Sequence, residues 1–214
     1  LVAGKDLRIE LRSRVATSQV LPFGFVVLLL FAFALDPDRG LLPRVAPGLF
    51  WVAVLLSALL AVGRSAAVES GAPDALRLSG LDGAAVFLGK AAAVTVELLA
   101  LELLLGVGVF VFYDVDFRDG GVLVLATAAA TVGIAATGTL YAVLAAGLRV
   151  RETLLPVLLL PVVAPVMLGA TRSWEAALDG VPADAWPWVA LLALFATLYT
   201  AIGTLAYGPL LEET

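Results

Sequence analysis

Two carboxylates stand inside an otherwise apolar run, and they are the residues whose chemistry most needs an explanation. Glu97 and Glu102 lie between Ala84 and Tyr113, with Lys90 closer to the start of the run. On a helix they fall roughly 10 and 18 Å along the axis from Lys90, and five residues of separation turns them about 140° apart. That angle argues against one shared bidentate site. A carboxylate at such depth in lipid costs several kcal/mol, so each must be neutral, paired or in a wet cavity. Three uses remain open: a protonated carboxyl bonded to a neighbouring helix, a polar path for a substrate or proton, or an intramembrane enzyme site. The enzyme reading is poor, because the chain has no histidine and no cysteine to act as base, nucleophile or metal ligand.

Hydroxyls and small residues supply the second pattern. Ala129, Gly133 and Thr137 recur at four-residue spacing, with Thr127, Thr131, Gly138, Thr139 and Tyr141 beside them. Small residues let helix backbones approach and hydroxyls bond across the gap, so this is a close-packing face. The same face would also suit the lining of a lateral cleft. Thr131, Thr137 and Tyr141 join Glu97 and Glu102 as a candidate intramembrane polar path. Pro156, Pro161 and Pro165 mark a third pattern. Each removes a backbone donor, so their helix is expected to bend or break, as helices beside a transport path often do.

These groups have to be positioned by lipid-embedded helices. Of 214 residues, 62% are hydrophobic and only 14% charged, where a soluble domain carries about 25% charged residues. The apolar residues form long blocks, not alternating stripes. The expected class is therefore an all-α membrane protein, a bundle of six transmembrane helices in one permease domain over residues 1–214. The spans are placed near 15–35, 46–63, 84–113, 122–148, 153–171 and 186–207. The lead-in Lys5–Arg14 is too polar for the core of a signal peptide. It reads as a polar cytoplasmic segment or a short interfacial helix.

Orientation follows from basic residues. With the N-terminus inside, nine (Lys5, Arg8, Arg12, Arg14, Arg64, Arg77, Lys90, Arg149, Arg151) face inward and four (Arg39, Arg44, Arg118, Arg172) face outward. Both termini are thus expected in the cytoplasm, with Trp186 and Trp188 in an interfacial belt. The net charge of −5 argues against a nucleic-acid partner. No GxxxxGK[ST] pattern occurs, so any ATP chemistry belongs to another chain. The Arg64–Asp82 segment, with Arg64, Glu69, Asp74, Arg77 and Asp82, is the natural surface for such a chain to dock. A plain solvated loop is its other reading.

Several segments carry a family resemblance. Ala46–Ala61, with its APGxxWVAxLLSxLLA pattern, resembles the second helix of the haem exporter protein B (CcmB) family. Lys5–Arg12 (KDLRIELR), Phe87–Lys90 (FLGK) and Arg151–Pro165 (RETLLPVLLLPVVAP) match in the same order along the chain. In Glu69–Gly80 the chain departs from the family: the segment is shorter, poorer in leucine, and has Gly80 where proline is usual. The resemblance implies a permease subunit of the cytochrome c maturation ABC transporter, with an ABC-2-like exporter architecture in the cytoplasmic membrane. It also implies a separate CcmA-like ATPase, a second copy of the chain, and CcmC-, CcmD- and CcmE-like haem-handling partners. No cofactor is expected to reside in the chain. Haem enters only as a ligand moved or handled, for which Met167, Tyr141 and the carboxylates are weak axial candidates. An exporter of another small or lipid-like substrate, and a scaffold that relays ATPase motion without transport, remain as rivals.

Overall fold

The computed structural model describes residues 19–35, 40–69, 82–115, 118–146 and 151–213. Among them the chain is all helix: α1 (Leu21–Ala34), α2 (Leu42–Glu69), α3 (Gly83–Phe112), α4 (Gly120–Ala146), α5 (Arg151–Leu178) and α6 (Trp186–Glu213). A 3-10 turn, Pro182–Ala185, leads into α6. Five helices are long and apolar enough to cross a membrane, and α1 is a shorter apolar helix. At 1.5 Å per residue the 14 described residues of α1 span about 21 Å, short of a bilayer core of about 30 Å. The start of the expected first span, residues 15–18, lies outside the described residues. The chain is an all-α, multi-pass membrane protein.

Local chemistry explains where several helices begin and end. The Ala84 N–H donates to Asp82 Oδ1 at 3.3 Å, capping α3. The Val122 N–H donates to Asp119 Oδ1 at 3.1 Å and caps α4 in the same way. At the far end of α3 the Tyr113 N–H still reaches the Val109 carbonyl, and Asp114 then leaves the helix at φ +52°. Helix α5 closes with Gly180 at φ +76° and a Val181 N–H to Ala176 carbonyl bond of 2.9 Å, a Schellman-type stop.

Three helices outrun the ends expected from sequence, and one of them, α6, continues past Tyr207 to Glu213. Helix α2 continues through Arg64–Glu69, so the expected loop begins as two more helical turns. Helix α5 runs past Thr171 to Leu178, and Ser173, Trp174, Ala176 and Ala177 are buried there. The polar segment 172–185 therefore opens as a packed helix end; its charges, Arg172 and Glu175, pair with each other at 2.8 Å on the surface. Of the expected bend or break in α5, a break does not occur: the helix is continuous through Pro156, Pro161 and Pro165. Pro161 and Pro165 each cost one intrahelical bond, and both are exposed on one side, away from the packed core. The flanking turns keep their own bonds and carry the helix across.

Helix α4 occupies the middle of the packing, touching α2, α3, α5 and α6, while α1 leans on α2 and α3. Glycines set the approach. A Cβ on Gly138 would lie 2.6 Å from Val62 Cγ2 of α2, and one on Gly133 would lie 3.1 Å from Phe195 Cδ1 of α6. Where α3 and α6 meet, a Cβ on Gly83 would fall 2.4 Å from Gly208 Cα, and the Phe87 ring covers Gly203. Tyr113 pins α1 to the end of α3, its buried hydroxyl donating to the Leu28 carbonyl at 2.8 Å.

Candidate functional site in the helix core

The core of the bundle holds one buried polar chain that crosses three helices. Glu102 is 4% exposed, on the inward side of α3 among Leu98, Leu101 and Leu105. Thr131 of α4 faces it, with Oγ1 2.7 Å from Oε1 and 2.7 Å from Oε2. The same Oγ1 lies 2.7 Å from the carbonyl oxygen of Thr127, one turn back on α4. Thr127 in turn accepts a bond at its hydroxyl oxygen from Trp174 Nε1 of α5, at 3.0 Å.

Hydrogen-bond arithmetic assigns the proton in this chain. A threonine hydroxyl has one hydrogen and two lone pairs, and an ionised carboxylate only accepts. With Glu102 ionised, a single Thr131 hydrogen would be claimed by three oxygens, and a buried charge would be left under-solvated. With Glu102 protonated, its O–H donates to Thr131 Oγ1, and the Thr131 O–H donates to the Thr127 carbonyl. Every group is then used, as buried polar groups require. No cation competes with this arrangement. The only Lys or Arg inside the spanning stretch of α3 is Lys90, about 18 Å along the axis, and α4 has none at all.

Trp174 belongs at the same time to an aromatic cluster. Its ring stacks on Phe50 with centroids 4.1 Å apart, and Trp51 meets it edge-on at 6.0 Å. Phe50 and Trp51 lie in the third turn of α2, so the cluster ties α2 to α5 next to the polar chain. Trp51 Nε1 and Ser57 Oγ are buried and make no hydrogen bond among the described residues.

Of the residues nominated from sequence, the structure joins Glu102 directly to Thr131. Thr137 bonds back to the Gly133 carbonyl at 2.7 Å on its own helix. Tyr141, about 15 Å further along α4 than Thr131, interacts with Tyr199 of α6. Glu97 is half-buried on another side of α3, whereas Lys90 is buried at 6% exposure. Among these five positions the described side-chain bond is the one between Glu102 and Thr131. Trp174 was missed altogether, because it sits in a stretch that reads as a polar outer segment. Its signal was the aromatic itself, three residues beyond an apolar run. Among the described residues no three acidic, histidine or cysteine side chains gather as a metal site. Met167 is half-buried on α5.

The model of the family described as CcmB protein matches residues 1–213. The chain belongs to the CcmB family. Similar CcmB-family proteins include the heme exporter protein B of Escherichia coli K12, 32% identical over 199 residues, covering 90% of each chain. The heme exporter protein B of Paracoccus denitrificans is 32% identical over 210 residues, 96% of this chain and 92% of the relative. That of Bradyrhizobium diazoefficiens is 30% identical over 196 residues, 89% of this chain and 86% of the relative. The segments that carried the resemblance sit in defined places within this CcmB fold. The APGxxWVAxLLSxLLA stretch is the body of α2 with the Phe50–Trp51 pair, FLGK holds the Phe87 ring and buried Lys90, and the proline segment opens α5. In the proposed docking segment, Arg64 and Glu69 close α2, and Asp82 serves as the α3 cap. Asp74 and Arg77 lie outside the described residues.

Proposed function

We propose that the chain is the permease subunit of an ABC-type exporter serving haem export and cytochrome c maturation. The observation that carries this reading is the family match over residues 1–213, with relatives named heme exporter protein B aligned over most of both chains. The permease has both termini on the cytoplasmic face of the inner membrane and forms a single domain, as its basic residues and ordered helices favour. It carries no nucleotide motif, so a CcmA-like ATPase binds it, and a second copy of the chain completes the membrane part. CcmC-, CcmD- and CcmE-like proteins handle the haem.

Helix α2 supports a route for the force. Its apolar stretch ends near Gly63, yet the helix continues to Glu69. A push on the 64–82 segment would enter a continuous helix whose other end holds Phe50 and Trp51 against Trp174. Midway, Val62 sits on Gly138 of α4. The docking segment thus acts as a lever on the helices that hold the buried polar chain.

The reading is tested by affinity purification from native membranes, identifying the ATPase and any haem protein that accompanies the chain. Simultaneous charge reversal at Glu69, Asp74 and Arg77 should lose the ATPase while membrane insertion persists, since mismatches accumulate at one interface. Single reversals should be mild, because one exposed pair contributes only ~0–1 kcal/mol. The control reverses Asp114, Asp116 and Arg118. Equal ATPase recovery from both triple mutants would show that coupling does not run through this segment.

A further inference from the structure

Glu102 has a second property beyond satisfying its neighbours: its hydrogen bond crosses the α3–α4 contact in an apolar stretch of both helices. Residues on the two helices that flank it are apolar, with Leu98, Leu101 and Leu105 on α3 and Ala126, Ala130 and Ile134 on α4. Such a contact closes well around a neutral carboxylic acid and badly around an anion. We propose that Glu102 is a proton-operated clasp, shut when the carboxyl donates to Thr131 and released, with water entering between α3 and α4, when the proton leaves.

The surroundings decide that the response belongs to this one group. The spanning parts of α1 and α2 offer it no titratable partner, Arg44 being at the start of α2. Helix α4 contributes only Tyr141, ten residues from Thr131, and α6 only Tyr199 and Tyr207 in its span. Helix α5 has Arg151 and Glu152 at its start, more than about 30 Å along the axis from Trp174, and Arg172 and Glu175 near its end, paired with each other on the surface. On α3 itself, Glu97 points about 140° away and Lys90 lies about 18 Å off. An ionised Glu102 therefore finds no counter-charge beside it among the described residues. An unpaired charge in such a site is stabilised chiefly by admitting water.

Release would be felt beyond α3. Thr131 and Thr127 are one turn apart on α4, and Thr127 holds Trp174 of α5. Parting α3 from α4 thus leaves Thr131 bonded only to the Thr127 carbonyl, on the helix that also holds Trp174. The clasp is independent of which substrate the exporter carries.

The chain has no native cysteine, so a labelled pair can be placed cleanly. Leu103 and Val132 are exposed beside Glu102 and Thr131, and nitroxides at Leu103→Cys and Val132→Cys report the α3–α4 separation. Pulsed electron paramagnetic resonance would follow the distance in nanodiscs as pH rises. A single short distance should give way to a longer population at alkaline pH. In Glu102→Gln, whose neutral amide still donates to Thr131, the short distance should persist throughout. Infrared spectra should show a protonated carboxyl band that Glu102→Gln removes. Thr131→Val, which deletes the acceptor without changing shape, should show the long population already at neutral pH. A parent profile that stays flat while the protein remains folded would overturn the clasp. So would a pH response unchanged in Glu102→Gln, or a Thr131→Val variant that stays short.

Discussion

Gly138→Ala asks whether the small-residue side of α4 is packed or open. In the structure a Cβ at Gly138 would stand 2.6 Å from Val62 Cγ2, where carbon atoms rest at about 3.5–4.0 Å. The two helices would have to part by about 1 Å, or Val62 would have to leave its rotamer, and a β-branched side chain in a helix has one strongly preferred. Val62 is itself buried at 1% exposure, with little room to move. Overpacking of this kind costs about 1–3 kcal/mol. Replacing a helical glycine by alanine returns roughly 0.8–1.0 kcal/mol of propensity. The net expectation is a loss of up to about 2 kcal/mol.

Unfolding in bicelles, driven reversibly by a denaturing detergent, would measure that loss. Two companions sharpen it. Gly106→Ala meets no atom within 4 Å and should gain up to about 1 kcal/mol from propensity alone. Val62→Ala removes the obstructing methyls, so the double variant Val62→Ala, Gly138→Ala should be more stable than the sum of the singles, by about 1–2 kcal/mol. If Gly138→Ala is as stabilising as Gly106→Ala, or if the double variant is additive, that side of α4 faces open space, and the cleft reading replaces the packing one.

The topology is checked with single cysteines and an impermeant reagent: Asp184→Cys, exposed before α6, should label from outside, while Ser13→Cys and Ser70→Cys stay protected until the membrane is opened. Outside labelling of Ser70→Cys in intact cells would sink the N-in arrangement. Tyr113→Phe removes the bond to the Leu28 carbonyl and should destabilise the attachment of α1 by about 0.5–1.5 kcal/mol in the bicelle assay. An unchanged midpoint would mean that α1 is held by its apolar contacts alone.

Much of the architecture was legible because lipid makes strong demands on sequence. A run such as Ala84–Tyr113 has few options other than a spanning helix, and α3 occupies it almost to the residue. The errors fell at helix ends, where polarity was read as solvent. Asp82 and Asp119 each supply the acceptor that a helix cap needs. Ser173 and Trp174 followed Arg172 and so read as surface. A helix turns 100° per residue, however, and Arg172 can face outward while its two successors face the core. The prolines of α5 do not end their helix, for a related reason. Each deletes one bond, but Pro161 and Pro165 sit where the helix is exposed, and the packed side, with Leu159, Val163 and Val166, continues undisturbed.

The site was half legible for a deeper reason. Composition and depth identify Glu102 as a carboxyl that needs a partner, and Thr131 as a hydroxyl on a helix that packs closely. Nothing in either helix alone states that the two face each other. Their pairing depends on the short turn between α3 and α4. Counting back from Tyr113 and forward from Gly120, Glu102 and Thr131 are each 11 residues from the turn, at matching heights on antiparallel helices. The helix register therefore contained the pairing once the turn was located to within a residue or two. Trp174 carries no such constraint. Its place depends on how far α5 extends beyond the last apolar residue, which is set by burial against Phe50 and Trp51 from a helix more than a hundred residues earlier. What a buried acid needs can be read locally, whereas the residue that meets the need is chosen by the tertiary packing.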